Sequence, residues 1–409
     1  MAGSMIPCSG LRDAAAQQQP SCGPGHPGRW PRGVRIDQHA FVRVRLRLAL
    51  NILWEWFVDH LLEPDSELLQ RWLVERGYPA YRAKQVRNWT FERRARGFDD
   101  MTDLPKKLRE DLARDFTLWT AKVVTHSKSD DGTEKLLLEL ADGGRIECVL
   151  LRDGVRRSIC ISSQVGCAMG CVFCASGLDG VDRNLTAGEM VEQMLLLQRL
   201  LPVDERLSHI VVMGMGEPLA NVDHLLVALA EASSDSGLAI SPRRITISTV
   251  GLPTAILRLA EVEPRYQLAV SIHAPNDALR NQVVPVNKNI GLQEILAAAD
   301  EYFTASGRRL TFEYVLLAEL NDLPIHAHQL VALLRGRTAM LNVIPYNPVA
   351  GLPYRTPSAA SQSRFREILE RGGINVQFRE RKGDQINAAC GQLRRSTPSV
   401  VQLSVPSPT

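Results

Sequence analysis

No stretch of this sequence holds the roughly 20 uninterrupted apolar residues that cross a bilayer as a helix. The nearest candidate, residues 42–62, is broken by Arg43, Arg45 and Arg47 and later by Glu55 and Asp59, so it is expected to be an amphipathic helix at most. No apolar run precedes a cleavage signal in the first forty residues, where Gly-Pro-Gly-His-Pro-Gly and scattered arginines occur instead; a secretory signal is not expected there. The formal charge is only +3, too small to argue nucleic-acid binding unless the cations are grouped. The eight cysteines are not spaced as a disulfide framework, and no second CxxC pair exists to close a structural zinc site. Membrane spanning, secretion and a stapled small domain are thereby set aside, and a reducing, cytoplasmic setting is expected.

What the sequence does have is Cys167-Ala-Met-Gly-Cys171-Val-Phe-Cys174, three thiols separated by three and then two residues. Thiolate is the soft ligand of iron–sulfur clusters, and a four-iron cluster has four corners. Three local ligands leave one iron open to bind a substrate, which a fully thiolate-capped cluster would not offer. The spacing therefore predicts a [4Fe-4S] cluster, one per chain, with Cys167, Cys171 and Cys174 as its ligands.

At 409 residues the chain exceeds the usual single-domain size. We expect a disordered extension over 1–40, holding Cys8 and Cys22, then a basic helical module over 41–117 and a β-meander linker over 118–152. A partial barrel over 153–376, a thiol-bearing segment over 377–395 and a tail over 396–409 follow. In the helical module, Arg82, Lys84, Arg87, Arg93, Arg94, Arg96, Lys106, Lys107 and Arg109 are interleaved with Tyr78, Tyr81, Trp89 and Phe91. This composition suits an RNA backbone with stacked bases, and equally a small bundle with a solvated basic surface. In the meander, Asp130-Asp131-Gly132 is a hairpin signal, and Glu147 lies within the last strand, where alternation could aim it at either face.

From 158 to 376 strand and helix patterns alternate. Residues 158–163, 209–213, 244–248, 267–272, 310–316 and 341–344 read as strands; Thr186-Ala-Gly-Glu189 is a capping box, and Thr356-Pro357 is expected to start the last helix. Six such units imply an α/β fold, a partial (βα)6 barrel with right-handed crossovers and its chemistry at the carboxyl ends of the strands. Those ends are polar and glycine-rich: Gly214-Met215-Gly216-Glu217-Pro218, Ser248-Thr249, Ser271-Ile272-His273 and Tyr346-Asn347-Pro348. Past the barrel, 377–382 reads as a short basic strand leading to Cys390 in a glycine-bounded cationic loop, a setting that favours thiolate. Cys160 is a second candidate thiol, although a strand position suits core packing equally.

These motifs closely resemble the RlmN/Cfr-type radical S-adenosylmethionine (SAM) RNA methyltransferases. The landmarks are Cys160-Ile-Ser-Ser-Gln-Val-Gly-Cys167, the CxxxCxxC loop, Gly214-Met-Gly-Glu-Pro218, Ser271-Ile-His-Ala-Pro-Asn276, Ile344-Pro-Tyr-Asn-Pro348 and Ala388-Ala-Cys390-Gly-Gln392. The resemblance implies that the open iron chelates SAM and that Gly216, Glu217, Ser248, Ser271, Ile272, His273 and Asn347 contact it, two molecules being used per turnover. It further implies that Cys390 carries a methyl group, that Cys160 resolves the resulting adduct by forming a disulfide with Cys390, and that Glu147 accepts a proton. The expected product is C2-methyladenosine in 23S rRNA and in tRNA. The expected partners are those RNAs and a flavodoxin- or ferredoxin-like electron donor, with no membrane and a monomeric chain. A Cfr-like C8 methyltransferase and a non-catalytic iron–sulfur RNA-binding regulator are the competing readings.

Overall fold

Branched apolar runs ending in glycine and aspartate turns become strands, and the apolar stripes between them become covering helices. The structure, a computed structural model, describes residues 59–64, 67–379 and 382–395. The expected extension over 1–40, with Cys8 and Cys22, and the tail over 396–409 lie outside them. The described part of the expected amphipathic helix at 42–62 is not helical: β1 (Asp59–His60) pairs in parallel with β2 (Phe116–Thr117). This pair brackets α1 (Leu68–Glu75), α2 (Arg82–Phe91) and α3 (Lys106–Asp115), which bury Leu73, Val86, Phe91, Leu108 and Leu112.

The meander β3 (Lys122–Lys128), β4 (Glu134–Glu139) and β5 (Arg145–Asp153) runs antiparallel into β6 (Arg156–Cys160). From β6 the sheet continues in parallel through β9 (His209–Val212), β10 (Ile245–Thr249), β11 (Gln267–Ser271), β12 (Leu310–Leu316), β13 (Ala339–Pro345) and β14 (Val376–Phe378). The segment expected as a linker is thus the edge of one ten-stranded sheet. The parallel array also gains a seventh member. The strand expected at 377–382 starts earlier, because Val376 and Phe378 pair with β13, and Arg379 N–H donates to Val343 O at 2.9 Å. A separate hairpin, β7 (Gln164–Gly166) with β8 (Val181–Asn184), follows β6 in the chain and carries the cysteine loop at its tip.

The covering helix α4 (Ala187–Gln198) starts at the expected box: Thr186 Oγ1 accepts from Glu189 N–H at 3.1 Å, and Glu189 Oε2 accepts from Thr186 N–H at 2.9 Å. It is buried on every side rather than along one stripe. Its polar side is closed by the segment joining β2 to β3, since Glu192 accepts the N–H groups of Thr120 and Ala121 at 2.9 and 2.8 Å. The helices α5 (Val222–Ser233), α6 (Pro253–Val262), α7 (Asp277–Val283), α8 (Leu292–Ser306) and α9 (Pro324–Leu334) complete the crossovers. The last, α10 (Ala359–Arg371), starts beyond Thr356-Pro357, because Ser358 Oγ caps Ser361 N–H at 3.1 Å while the Thr356 hydroxyl turns back to Tyr346 O at 2.7 Å.

Candidate active site

The cysteine loop is tied to its surroundings by backbone. Cys167 N–H donates to Gly180 O at 2.8 Å and Val172 N–H to Val283 O at 3.1 Å. Gly166 enters the loop at φ +82°, where a Cβ would lie 2.0 Å from Gly180 O, so only glycine fits. Burial pushes the Cys167 thiol up to about 11 and raises Cys171 and Cys174 as well; among the smaller contributions, the thiols raise one another. Three neighbouring thiols kept protonated by burial form a set that only a cation would discharge together. No three His, Cys, Asp or Glu side chains among the described residues approach closely enough for a single ion.

The expected SAM contacts lie along the carboxyl ends of adjacent strands. Gly216 has φ +104°, and an added Cβ would stand 2.7 Å from Gln164 Cβ. Glu217 is buried, with Leu219 N–H on Oε1 at 3.0 Å and Val250 N–H on Oε2 at 2.8 Å; burial raises its pKa against those bonds. The Thr249 side chain also hydrogen-bonds to this carboxylate. Ser248 and Ser271 face each other across β10 and β11 with their hydroxyls 3.5 Å apart. Ile272 is fully buried, and its carbonyl accepts from Arg280 Nε at 3.0 Å. His273 sits at φ +54°, and its Nδ1 accepts Val315 N–H at 3.1 Å. Burial, then Arg280, lowers its pKa to about 3, so the ring is neutral; it packs edge-on to Phe173 of the cysteine loop at 4.9 Å. Asn347 donates to Cys390 O at 3.2 Å while its Oδ1 is buried without a partner, an acceptor facing no donor.

The segment 382–395 lies docked. Lys382 Nζ reaches Asp153 at 2.8 Å, Gly383 N–H donates to Asp131 at 2.8 Å, and Gly391 O accepts Ala175 N–H at 2.8 Å. Gln392 Nε2 donates to Pro348 O at 2.9 Å, and Ser176 Oγ to Leu393 O at 2.7 Å. Cys390 is thereby brought beside Cys160 and Cys174, contributing to the raised pKa of both; burial, the larger cause, pushes Cys160 up to about 12. Both sulfurs are free thiols. Arg379 Nη1 lies 3.9 Å from Cys390 Sγ. Glu147 points inward, with Lys135 Nζ 2.8 Å from Oε1 and Arg394 N–H donating to Oε2 at 2.9 Å.

Comparison with known proteins gives the family. Residues 60–118 match the ribosomal RNA large subunit methyltransferase N-terminal domain, and residues 161–330 match the radical SAM superfamily. A probable dual-specificity RNA methyltransferase RlmN of Rhodopirellula baltica is 66% identical over 342 residues, covering 84% of this chain and 92% of that protein. The chain belongs to the RlmN family. An RlmN relative from Symbiobacterium thermophilum is 47% identical over 324 residues, covering 79% of this chain and 87% of its own. The crystal structure of a radical SAM methyltransferase from Sphaerobacter thermophilus superposes with TM-score 0.80 at 42% identity, covering 83% of this chain and all of that one. As a radical SAM protein, this RlmN-family chain uses a [4Fe-4S] cluster and SAM. The residues present fit both groups: three thiols on one loop for the cluster, and the buried, unpartnered Asn347 Oδ1 as an acceptor for an ammonium.

Two residues carried no sequence signal: Lys135 and Ser176 bond to partners far along the chain, Asn387 and Leu393. In the helical module, Phe91 is core, Tyr78 donates to Asp111 at 2.6 Å, and Trp89 donates to Asp103 at 2.6 Å beneath Arg93. Tyr81, at 60% exposure, is the most open of the four rings. Arg87 pairs with Glu231, and Arg94 donates to the carbonyls of Leu201 and Pro202 at 2.8 and 2.9 Å, so these cations fasten the module to the barrel. Lys84, Arg93, Arg96, Lys106 and Lys107 are left exposed.

Proposed function

We propose that this chain methylates C2 of adenosine in 23S rRNA and tRNA through a methyl group carried on Cys390. The observation that carries this reading is the docked segment 382–395, which gathers Cys390, Cys160, Cys174 and Glu147 at one mouth of the barrel. Carbon 2 of adenine is electron-poor and cannot attack a sulfonium methyl, so a sulfur nucleophile must take the methyl first. Cys390 does so: its sulfur would take the methyl of a first SAM as the sulfonium S–CH3 bond breaks, with S-adenosylhomocysteine leaving and the thiol proton released. A cluster held by Cys167, Cys171 and Cys174 would, with a second SAM, supply one-electron chemistry: removal of a hydrogen atom from the Cys390 methyl, and a sink for the single electron released once the methylene carbon has joined C2. Glu147 accepts the proton leaving C2. Cys160 thiolate then attacks Cys390 Sγ; the S–S bond forms as the S–CH2 bond breaks, the freed carbon takes up a proton, and methylated RNA departs. A two-electron reductant resets the disulfide.

Cys167, Cys171 and Cys174 hold the cluster, while Gly216, Glu217, Ser248, Ser271, Ile272, His273 and Asn347 surround SAM. The exposed cations of the helical module supply the RNA backbone contacts, a flavodoxin- or ferredoxin-like protein supplies electrons, and a single chain acts in the cytoplasm. No helix among the described residues is long and apolar enough to cross a membrane. The test is mass spectrometry of anaerobically purified protein before and after incubation with SAM, reductant and an rRNA fragment. Methyl on Cys390 followed by 2-methyladenosine is expected. The 8-methyl isomer would select the Cfr-like chemistry, and iron-loaded protein that never methylates Cys390 would overturn the mechanism in favour of a regulator.

A further inference from the structure

Lys135 and Glu147 are diagonal neighbours on one face of the meander, since Lys135 pairs with Val149 and Leu137 with Glu147. Both are almost inaccessible, at 5% and 2%. A cation and an anion taken this far out of water cost more in desolvation than their attraction returns unless further bonds satisfy them. Those bonds are present for both charged groups, and they reach the segment that carries Cys390. Lys135 Nζ, 2.8 Å from Glu147 Oε1, also donates to Asn387 O at 3.1 Å, three residues before Cys390. Glu147 Oε2 accepts Arg394 N–H at 2.9 Å, four residues after it. Ser162 Oγ donates to the Glu147 carbonyl at 2.7 Å. The other titratable neighbours are the Arg394 side chain and the fully buried thiol of Cys148.

A hydrophobic isostere of the pair would be as stable or more so, so stability alone does not account for a buried lysine here. We propose that Lys135 is the positioning residue of the proton acceptor: it holds Glu147 as a carboxylate and locks it to the backbone of the segment that carries Cys390. Burial by itself pushes the Glu147 carboxyl up, and Lys135 leads the influences that oppose this. Without that ammonium the carboxyl would be pushed further up, toward the protonated form, and a protonated acid cannot take the proton from C2. The step that suffers is therefore adduct resolution, whereas methylation of Cys390, which does not use Glu147, is untouched.

This inference rests on the function proposed above. The experiment is a single turnover with the full cluster-loaded chain, SAM, reductant and an rRNA fragment, quenched over time between pH 7 and 9. Cys390 methyl is read by mass spectrometry, and the covalent RNA–protein adduct on denaturing gels. Lys135→Met is expected to acquire the Cys390 methyl but to clear the adduct at least about tenfold more slowly at pH 7. The deficit should narrow as pH rises, and Lys135→Arg should restore the rate. Adduct clearance by Lys135→Met at the parental rate would overturn the proposal, as would a deficit that neither pH nor Lys135→Arg relieves. Should Lys135→Met not fold, Lys135→Gln, which keeps a donor without the charge, is read in the same way. Failure of the parent chain to methylate Cys390 would instead strike the functional reading.

Discussion

The loop over 167–174 and the segment over 382–395 both present thiols to the barrel mouth, and they are built in opposite ways. The first concentrates three sulfurs within eight residues on the tip of a β-hairpin. The second offers one sulfur and is fastened by side chains 217 to 252 residues away in sequence: Ser176 to Leu393 O, and Lys135 to Asn387 O. Metal–thiolate bonds are strong enough to hold a short loop by themselves. Single polar contacts worth about 1 kcal/mol each hold a segment that can also let go. The difference matches the tasks: a cluster must stay, whereas a thiol that receives a methyl, meets a base and then meets a second thiol needs a segment that docks and releases.

The largest expected effects separate the two. Cys171→Ala should lose bound iron, while Cys390→Ala should retain it yet carry no methyl and release no methylated RNA; iron analysis beside peptide mass spectrometry reads both. Iron loss in Cys390→Ala would mean that the two loops form one unit. Cys160→Ala acts between them. It should accept the methyl on Cys390 and react with RNA, then stall as a covalent adduct visible on a denaturing gel. Free product at the parental rate would remove Cys160 from the mechanism.

The first loop was legible and the second was not, for a physical reason. Ligand spacing is a local property, and so are strand alternation and the Thr186–Glu189 capping box. Hence the barrel strands and the cysteine loop could be read directly, and Glu147 and Cys160 gained meaning only through a family resemblance. Lys135 looks like an ordinary alternating strand residue; its role exists only because β4 and β5 pair and the chain's far end returns over them. The strand expected at 377–382 was set past the barrel because its arginines resemble a surface segment, whereas β14 joins the parallel array beside β13. In the helical module, aromatics that sequence offers for stacking on bases are spent on the core and on arginines, as at Phe91 and Trp89.

A middle-sized effect lies beneath the second loop. Glu313 is buried on β12 and accepts from Asn342 Nδ2 at 2.7 Å. Burial lifts its pKa to about 7, against the pull of Arg379, the same guanidinium that faces Cys390. For an acid whose folded pKa exceeds its unfolded value, the stabilising contribution is complete below the ordinary 4.5 and is lost as pH rises through about 7. Glu313→Gln removes that slope. Urea midpoints should therefore shift in favour of the variant by on the order of 3 kcal/mol between pH 4 and pH 8. A constant difference across that range would show that Arg379 keeps Glu313 ionised throughout.

The smallest effect tests the joint between the loops. Ser176 follows Cys174 by two residues, and its hydroxyl donates to Leu393 O in a buried bond. Ser176→Ala leaves that carbonyl unpaired and should cost roughly 1 kcal/mol, which is about fivefold in a local opening equilibrium. If the docked segment opens independently, amide hydrogen exchange should quicken by that factor at Leu393 to Arg395 and stay unchanged at Cys171 to Cys174 in cluster-loaded protein. Equal quickening at both would mean that the cysteine loop yields whenever the segment does. The contrast between a fixed loop and a releasable one would then be a matter of degree, with Cys390 leaving its dock only at the expense of the cluster's own seat.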